Sequence, residues 1–150
     1  MDALRAGLGR DAEGGPHRVT PSVLSLTQAT EAGTVYSVAE TAALSAVARE
    51  HGLAVQMDGA RLANALVRLC CSPAEATWQA GVDVLSFGAT KGGALAAEAV
   101  VFFDPARARG MAERRKRAGL LISKHRFVAA QLDAYLRDGC WLALARHANA

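Results

Sequence analysis

Long apolar runs are missing from this 150-residue chain, although 51% of its residues are hydrophobic. No stretch approaches the roughly 20 residues that a membrane-spanning helix needs. The first residues, MDALRAGLGRDAEGGPHR, carry early charges and no apolar core, so they do not read as a signal peptide. Cysteine is scarce: Cys70, Cys71 and Cys140 are odd in number and two are adjacent. That pattern argues against a disulfide framework or a zinc site and for a reducing cytoplasm. Lysine is equally scarce. Of 17 basic residues only Lys91, Lys116 and Lys124 are lysines, so any chemistry needing a lysine amine has three candidates. No internal repeat or low-complexity segment is visible. The remaining composition, 21% charged with a net charge of +3, is that of an ordinary soluble domain with a real core.

Residues 1–21 are polar and rich in glycine and proline, and read as a weakly structured lead-in with a helical turn near Ala3. Ser22 to Thr27, SVLSLT, alternates like a strand. Gln28 to Val35 is a loop. Ser37 and Glu40 form a capping box, in which each side chain reaches the other's backbone amide. The helix behind it places Leu44, Val47, Ala48 and His51 on one face and ends at Gly52. Leu53 to Met57 reads as a strand ending at Asp58, and Ala60 to Cys70 as a helix. Ser72 and Glu75 make a second capping box around Pro73, a residue tolerated at a first helical position. Val82 to Phe87 is a strand, Gly88 to Gly93 a turn and Ala97 to Phe103 another strand. Asp104-Pro105 opens a helix to about Arg117, and Ser123 to Leu136 and Trp141 to His147 are helices. Strands alternating with helices predict an α/β layer architecture.

Two stretches carry candidate chemistry. VLSFGATKGG, Val84 to Gly93, is an apolar run that stops at a small-residue turn holding Lys91. VQMDGAR, Val55 to Arg61, is another such run, ending in Asp58, Gly59 and Arg61. In open α/β sheets ligands sit at the carboxyl ends of strands. An amine and a carboxylate there meet two needs of a pyridoxal phosphate site: a lysine to bond the aldehyde, and an anion at the pyridine nitrogen. Gly88, Gly92 and Gly93 let backbone approach a flat ring, and Ser86 and Thr90 offer hydroxyls. The plain reading is also open: Asp-Gly is a common turn signal, and a lysine among glycines is usually a solvated charge.

The order and spacing of LTQATEAGTVYSVAETAALSAVAREHGLAVQMDGARLANAL, SFGATKGGALAAEAVVFFD and RRKRAGLLISKHRF resemble the low-specificity threonine aldolases of the β-eliminating lyase family, which are fold type I pyridoxal phosphate enzymes. The resemblance covers residues 26–126. It implies part of the aspartate-aminotransferase-like large domain of the type I pyridoxal-phosphate transferases, a mainly parallel sheet flanked by helices, over residues 22–150. It implies pyridoxal 5'-phosphate as cofactor, with Lys91 as the Schiff-base lysine and Asp58 on the pyridinium nitrogen. Arg61 would contact the ring hydroxyl and the substrate carboxylate, and Thr90 would lie behind the lysine. Lys124 would reach the phosphate of a neighbouring subunit, so a homo-oligomer is implied. The substrate would be a β-hydroxy-α-amino acid, cleaved to glycine and an aldehyde. The other readings are a truncated, inactive remnant and a β-eliminating lyase. Family members are roughly twice this length or more. Their phosphate cradle, ring-stacking histidine and second substrate arginine would fall outside this chain, and none of His17, His51, His125 and His147 matches the stacking position. Gly92-Gly93 stands where relatives tend to have Asn-Gly.

The remaining features read as structural. Arg114 to Arg117 is a basic run without interleaved aromatics, so a solvated helix face or subunit edge is expected rather than a nucleic-acid site. Trp78 and Trp141 read as packing residues. Cys70 and Cys71 read as buried small hydrophobes, and His51 as a helix C-terminal cap. A sheet lacking neighbours would expose edges and apolar surface, which predicts marginal stability or aggregation.

Overall fold

Alternation along β2 (Ala54–Gly59) sets the layout. Val55, Met57 and Gly59 are buried, while Gln56 and Asp58 are half-buried. The computed structural model describes residues 1–12, 17 and 19–150. Its four strands form one sheet in chain order: β1 (Val23–Thr27), β2, β3 (Val84–Gly88) and β4 (Glu98–Phe102). The first three are parallel and β4 is antiparallel to β3. Leu26, Val55, Met57, Leu85 and Phe87 point to the core with the helices, and Met57 and Val55 are fully enclosed. Burial alternates with a period of two because successive strand side chains leave opposite faces. The other face carries Ser25, Thr27, Gln56, Asp58 and Ser86, all exposed or half-buried.

Parallel neighbours need crossovers, and helices supply them. α1 (Asp2–Ala12) precedes β1, and α2 (Val38–Glu50) joins β1 to β2. α3 (Leu62–Leu69) and the short α4 (Pro73–Ala76) join β2 to β3. After β4 come α5 (Met111–Arg117), α6 (Arg126–Leu136) and α7 (Cys140–Asn149). Both expected capping boxes form, on α2 through Ser37 and Glu40 and on α4 through Ser72 and Glu75.

Hydrogen bonds from Ser37 (backbone, then hydroxyl) hold the Glu40 carboxyl below its ordinary pKa, and the Ser72 hydroxyl and backbone do the same for Glu75. A depressed folded-state value means the contribution is present above the ordinary glutamate range and is lost as pH falls through the lowered value. The melting temperature is therefore expected to drop on acidification. The fall should be shallower in a Glu40→Gln, Glu75→Gln double variant, whose amides still accept but do not titrate. Equal slopes in thermal melts across that acid range would contradict this.

Several elements differ from the sequence reading. The turn expected near Ala3 is a three-turn helix, α1; Leu8 packs against the core and Arg5 pairs with Glu50 at the end of α2. These contacts offset the cost of Gly7 and Gly9, about 1 kcal/mol each in a helix interior. Part of the expected lead-in, residues 13–16 and 18, lies outside the described residues. The helix expected from Asp104 to Arg117 is two pieces, a 3-10 turn at Pro105–Ala108 and α5, because Gly110 adopts a left-handed φ of 76°. His51 is an exposed C-cap residue rather than part of the buried face of α2, which is Thr41, Ser45, Val47 and Ala48. Trp78 is 52% exposed, so it is not a packing residue, whereas Trp141 stacks edge-on at 5.7 Å from Phe87. Cys70 is exposed and Cys71 half-buried, correcting the reading of both as core. The basic run of α5 forms a mostly solvated face, as expected. Val23 and Val100, on the two outer strands, are more than half exposed.

Candidate active site

Register builds the site. Thr27 aligns with Asp58, and Asp58 with Ser86, giving one row across three parallel strands near their carboxyl ends. Adjacent strands lie about 4.8 Å apart, so these side chains are neighbours on the uncovered face. The row is extended by hydrogen bonds one pleat lower. Ser25 Oγ donates to Gln56 Oε1 at 2.6 Å, and Gln56 Nε2 donates to Ser86 Oγ at 3.2 Å.

Asp58 is the penultimate residue of β2. Its Oδ1 accepts from the Ala60 amide at 2.9 Å, the one hydrogen bond of this carboxylate among the described residues. That bond turns the chain out of the strand, so the plain Asp-Gly turn reading holds for one oxygen. The other oxygen has no hydrogen bond among the described residues. Tight glycines bring the two strand ends together. A Cβ at Gly59 would lie 2.6 Å from Leu85 Cδ1, and one at Gly88 only 2.8 Å from Ala60 Cα.

Lys91 lies three residues beyond β3, in a 3-10 turn at Thr90–Gly92, and is exposed. The turn closes on backbone bonds: Ala89 N–H donates to Ala97 O at 3.0 Å, and Gly92 and Ala94 N–H both donate to Ala89 O. The Thr90 hydroxyl accepts from Ala97 N–H at 3.2 Å, so this side chain ties the turn to the start of β4. Arg61 occupies the N-cap position of α3, half-buried. It lines an open cleft with Thr30, Glu31, Asn64, Arg68 and Asn149. Asp58 and Lys91 stand outside that cleft, which shares only Arg61 with the strand-end set.

Asp58 and Lys91 thus stand at or just beyond the ends of two adjacent parallel strands, with Arg61 two residues past β2. Lys124 is not among them; it sits exposed in the turn before α6. His51, His125 and His147 lie at or near helix ends, away from the row. No cluster of metal-ligating side chains occurs among the described residues. The Cys71 thiol is pushed up, chiefly by burial and then by the Glu75 charge, which disfavours it as a nucleophile. Gln56 was not singled out from the sequence, yet it lies two residues before Asp58 and so on the same face by strand alternation. Gln131 and Tyr135, which hold the lysine turn from α6, carry no local signal at all.

The donor set fits pyridoxal 5'-phosphate. The open carboxylate oxygen of Asp58 suits a protonated ring nitrogen, and the exposed amine of Lys91 suits an aldehyde. Fold and register together define an α/β protein whose candidate site residues stand at the carboxyl ends of a mainly parallel sheet.

The sequence profile of the beta-eliminating lyase family matches residues 1–150, and the chain belongs to that family. It is 52% identical over 133 residues to the low specificity L-threonine aldolase of Pseudomonas aeruginosa, and 50% identical to that of a Pseudomonas species. Each alignment takes in 89% of this chain and 38% of the relative, so the chain spans about two-fifths of their length. The threonine aldolase of Leishmania major superposes with a TM-score of 0.84 at 30% identity, over 96% of this chain and 42% of that one. The chain shares the α/β fold of these threonine aldolases.

Proposed function

We propose that this chain carries the lysine, carboxylate and arginine of a pyridoxal-phosphate-dependent lyase that cleaves threonine-like β-hydroxy-α-amino acids to glycine and an aldehyde. The observation that carries this reading is the Thr27–Asp58–Ser86 row with the Lys91 turn beside it, in a chain half identical to threonine aldolases. When bound, the cofactor supplies an electron sink for the bond that breaks. The Asp58 carboxylate would hold a proton on the ring nitrogen by a charge-assisted hydrogen bond. Lys91 Nζ is the amine that would hold the cofactor through its aldehyde carbon. Arg61, with its planar fork, receives a carboxylate in two parallel hydrogen bonds. Lys124, exposed before α6, would reach the phosphate held by a second copy of the chain, and the working form would then be a homo-oligomer. The three free cysteines suit a reducing cytoplasm.

The test is covalent capture. The purified chain is mixed with pyridoxal phosphate, reduced with borohydride, digested and mapped by mass spectrometry, and a parallel sample is assayed for glycine release from threonine. Label on Lys91 with glycine release supports the full reading. Label without glycine release leaves a cofactor-binding remnant. Ammonia and a 2-oxo acid in place of glycine make it a β-eliminating lyase. No label on Lys91 overturns the assignment.

A further inference from the structure

Two side chains of α6, one helical turn apart, reach the segment that carries the lysine. Gln131 Oε1 accepts from both Leu95 N–H and Ala96 N–H, each at 3.0 Å, while its Nε2 donates to Phe127 O at 3.0 Å. The carboxamide is therefore fixed on its own helix and turns its oxygen to the loop. Tyr135 follows at i+4, on the same helix face. It is 5% exposed, and any side chain on Gly92 would overlap its hydroxyl. Behind Tyr135 stand Phe87 and Trp141, at ring distances of 6.3 and 6.4 Å. Phe87 belongs to β3, so α6 is braced on the strand that delivers Lys91. The backbone of Leu95 and Ala96 has no sheet or helix partner in this segment, and Gln131 is what receives its amides.

We infer that Gln131, backed by Tyr135, is a positioning residue for Lys91: it fixes residues 92–96 so that the amine stands over the end of β3. This rests on the cofactor role proposed for Lys91, but its hold on the loop can be read without the cofactor. Two amides ending on one oxygen make a hinge pin. Without it, the turn keeps only the bonds to Ala89 O and Ala97 at its base.

The experiment uses the full chain and three variants. Gln131→Met keeps length and removes the acceptor. Gln131→Glu restores an acceptor oxygen. Ser72→Ala weakens the α4 cap, far from the loop, and controls for general destabilisation. Backbone amide hydrogen exchange is followed at Leu95 and Ala96 and at Gly92 and Ala94, alongside the rate of borohydride-trapped pyridoxal phosphate. In Gln131→Met, exchange at all four amides is expected to rise about tenfold and trapping to slow about as much. Gln131→Glu, which keeps the acceptor but loses the donor to Phe127 O, should recover part of both, and Ser72→Ala should leave both unchanged. Wild-type exchange in Gln131→Met overturns the inference. So does faster exchange confined to Leu95 and Ala96 with trapping unchanged, since the pin would then not reach the lysine. If the wild-type chain traps no cofactor, the functional reading fails, and exchange at Gly92 and Ala94 alone decides the positioning role.

Discussion

Lys91→Ala is expected to abolish borohydride-stable incorporation of pyridoxal phosphate. The chain has three lysines, and the other two are poorly placed: Lys116 lies on α5 and Lys124 in the turn before α6. Neither follows a strand whose neighbour presents a carboxylate. The loss should be complete rather than graded, because a covalent bond to one amine has no partial substitute. Lys91→Arg tests whether charge alone matters. Its guanidinium is a cation at every accessible pH and forms no such bond, so it should behave like alanine. Intact mass after reduction reads the result directly. Stoichiometric label persisting in Lys91→Ala would move the reactive amine to another lysine and remove the basis of the proposed function.

Gly88→Ala should be the more damaging change to the fold. The new methyl would stand 2.8 Å from Ala60 Cα and 2.7 Å from Glu98 Oε2. A carboxylate end can swing away; a backbone carbon in the turn leaving β2 cannot. Overpacking of this kind costs roughly 1–3 kcal/mol. The displacement should appear as a lowered denaturation midpoint with an unchanged slope in urea. Part of it should also separate the ends of β2 and β3, slowing cofactor capture at Lys91. An unaltered midpoint would mean that Ala60 does not pack against Gly88 in solution.

Local chemistry made much of this fold legible. Ser37 with Glu40, and Ser72 with Glu75, announce helix starts through bonds that span three residues, and Gly52 and Gly81 end their segments with φ values of 71° and 94°. The short apolar run in VQMDGAR puts Asp58 at a strand end, where it stands as the penultimate residue of β2. Contacts between distant parts were not legible. Nothing near Gln131 in the sequence points to Leu95, 36 residues away. The helix at the N-terminus depends on Leu8 and Arg5 meeting partners elsewhere, and glycine-rich residues 1–21 concealed it. Trp78 shows the opposite case: its size suggests an enclosed aromatic, but the 3-10 turn after α4 leaves it exposed. The strand after Lys91 was legible as a strand, while its direction came only from pairing.

The reversal of β4 bears on how the chain assembles. Gly88 pairs with Glu98, only 10 positions apart, whereas Gln56 pairs with Val84 across 28 and Val23 with Ala54 across 31. Closing the shorter loop costs about 1 kcal/mol less chain entropy than closing either longer one. The lysine therefore sits in the most local closure of the sheet, and the carboxylate in a distant one. The β3–β4 hairpin can begin to pair while β2 is still finding its place, and the amine's turn is finished only when α6 brings Gln131 to it. The two halves of the site then come together in the slower, long-range step.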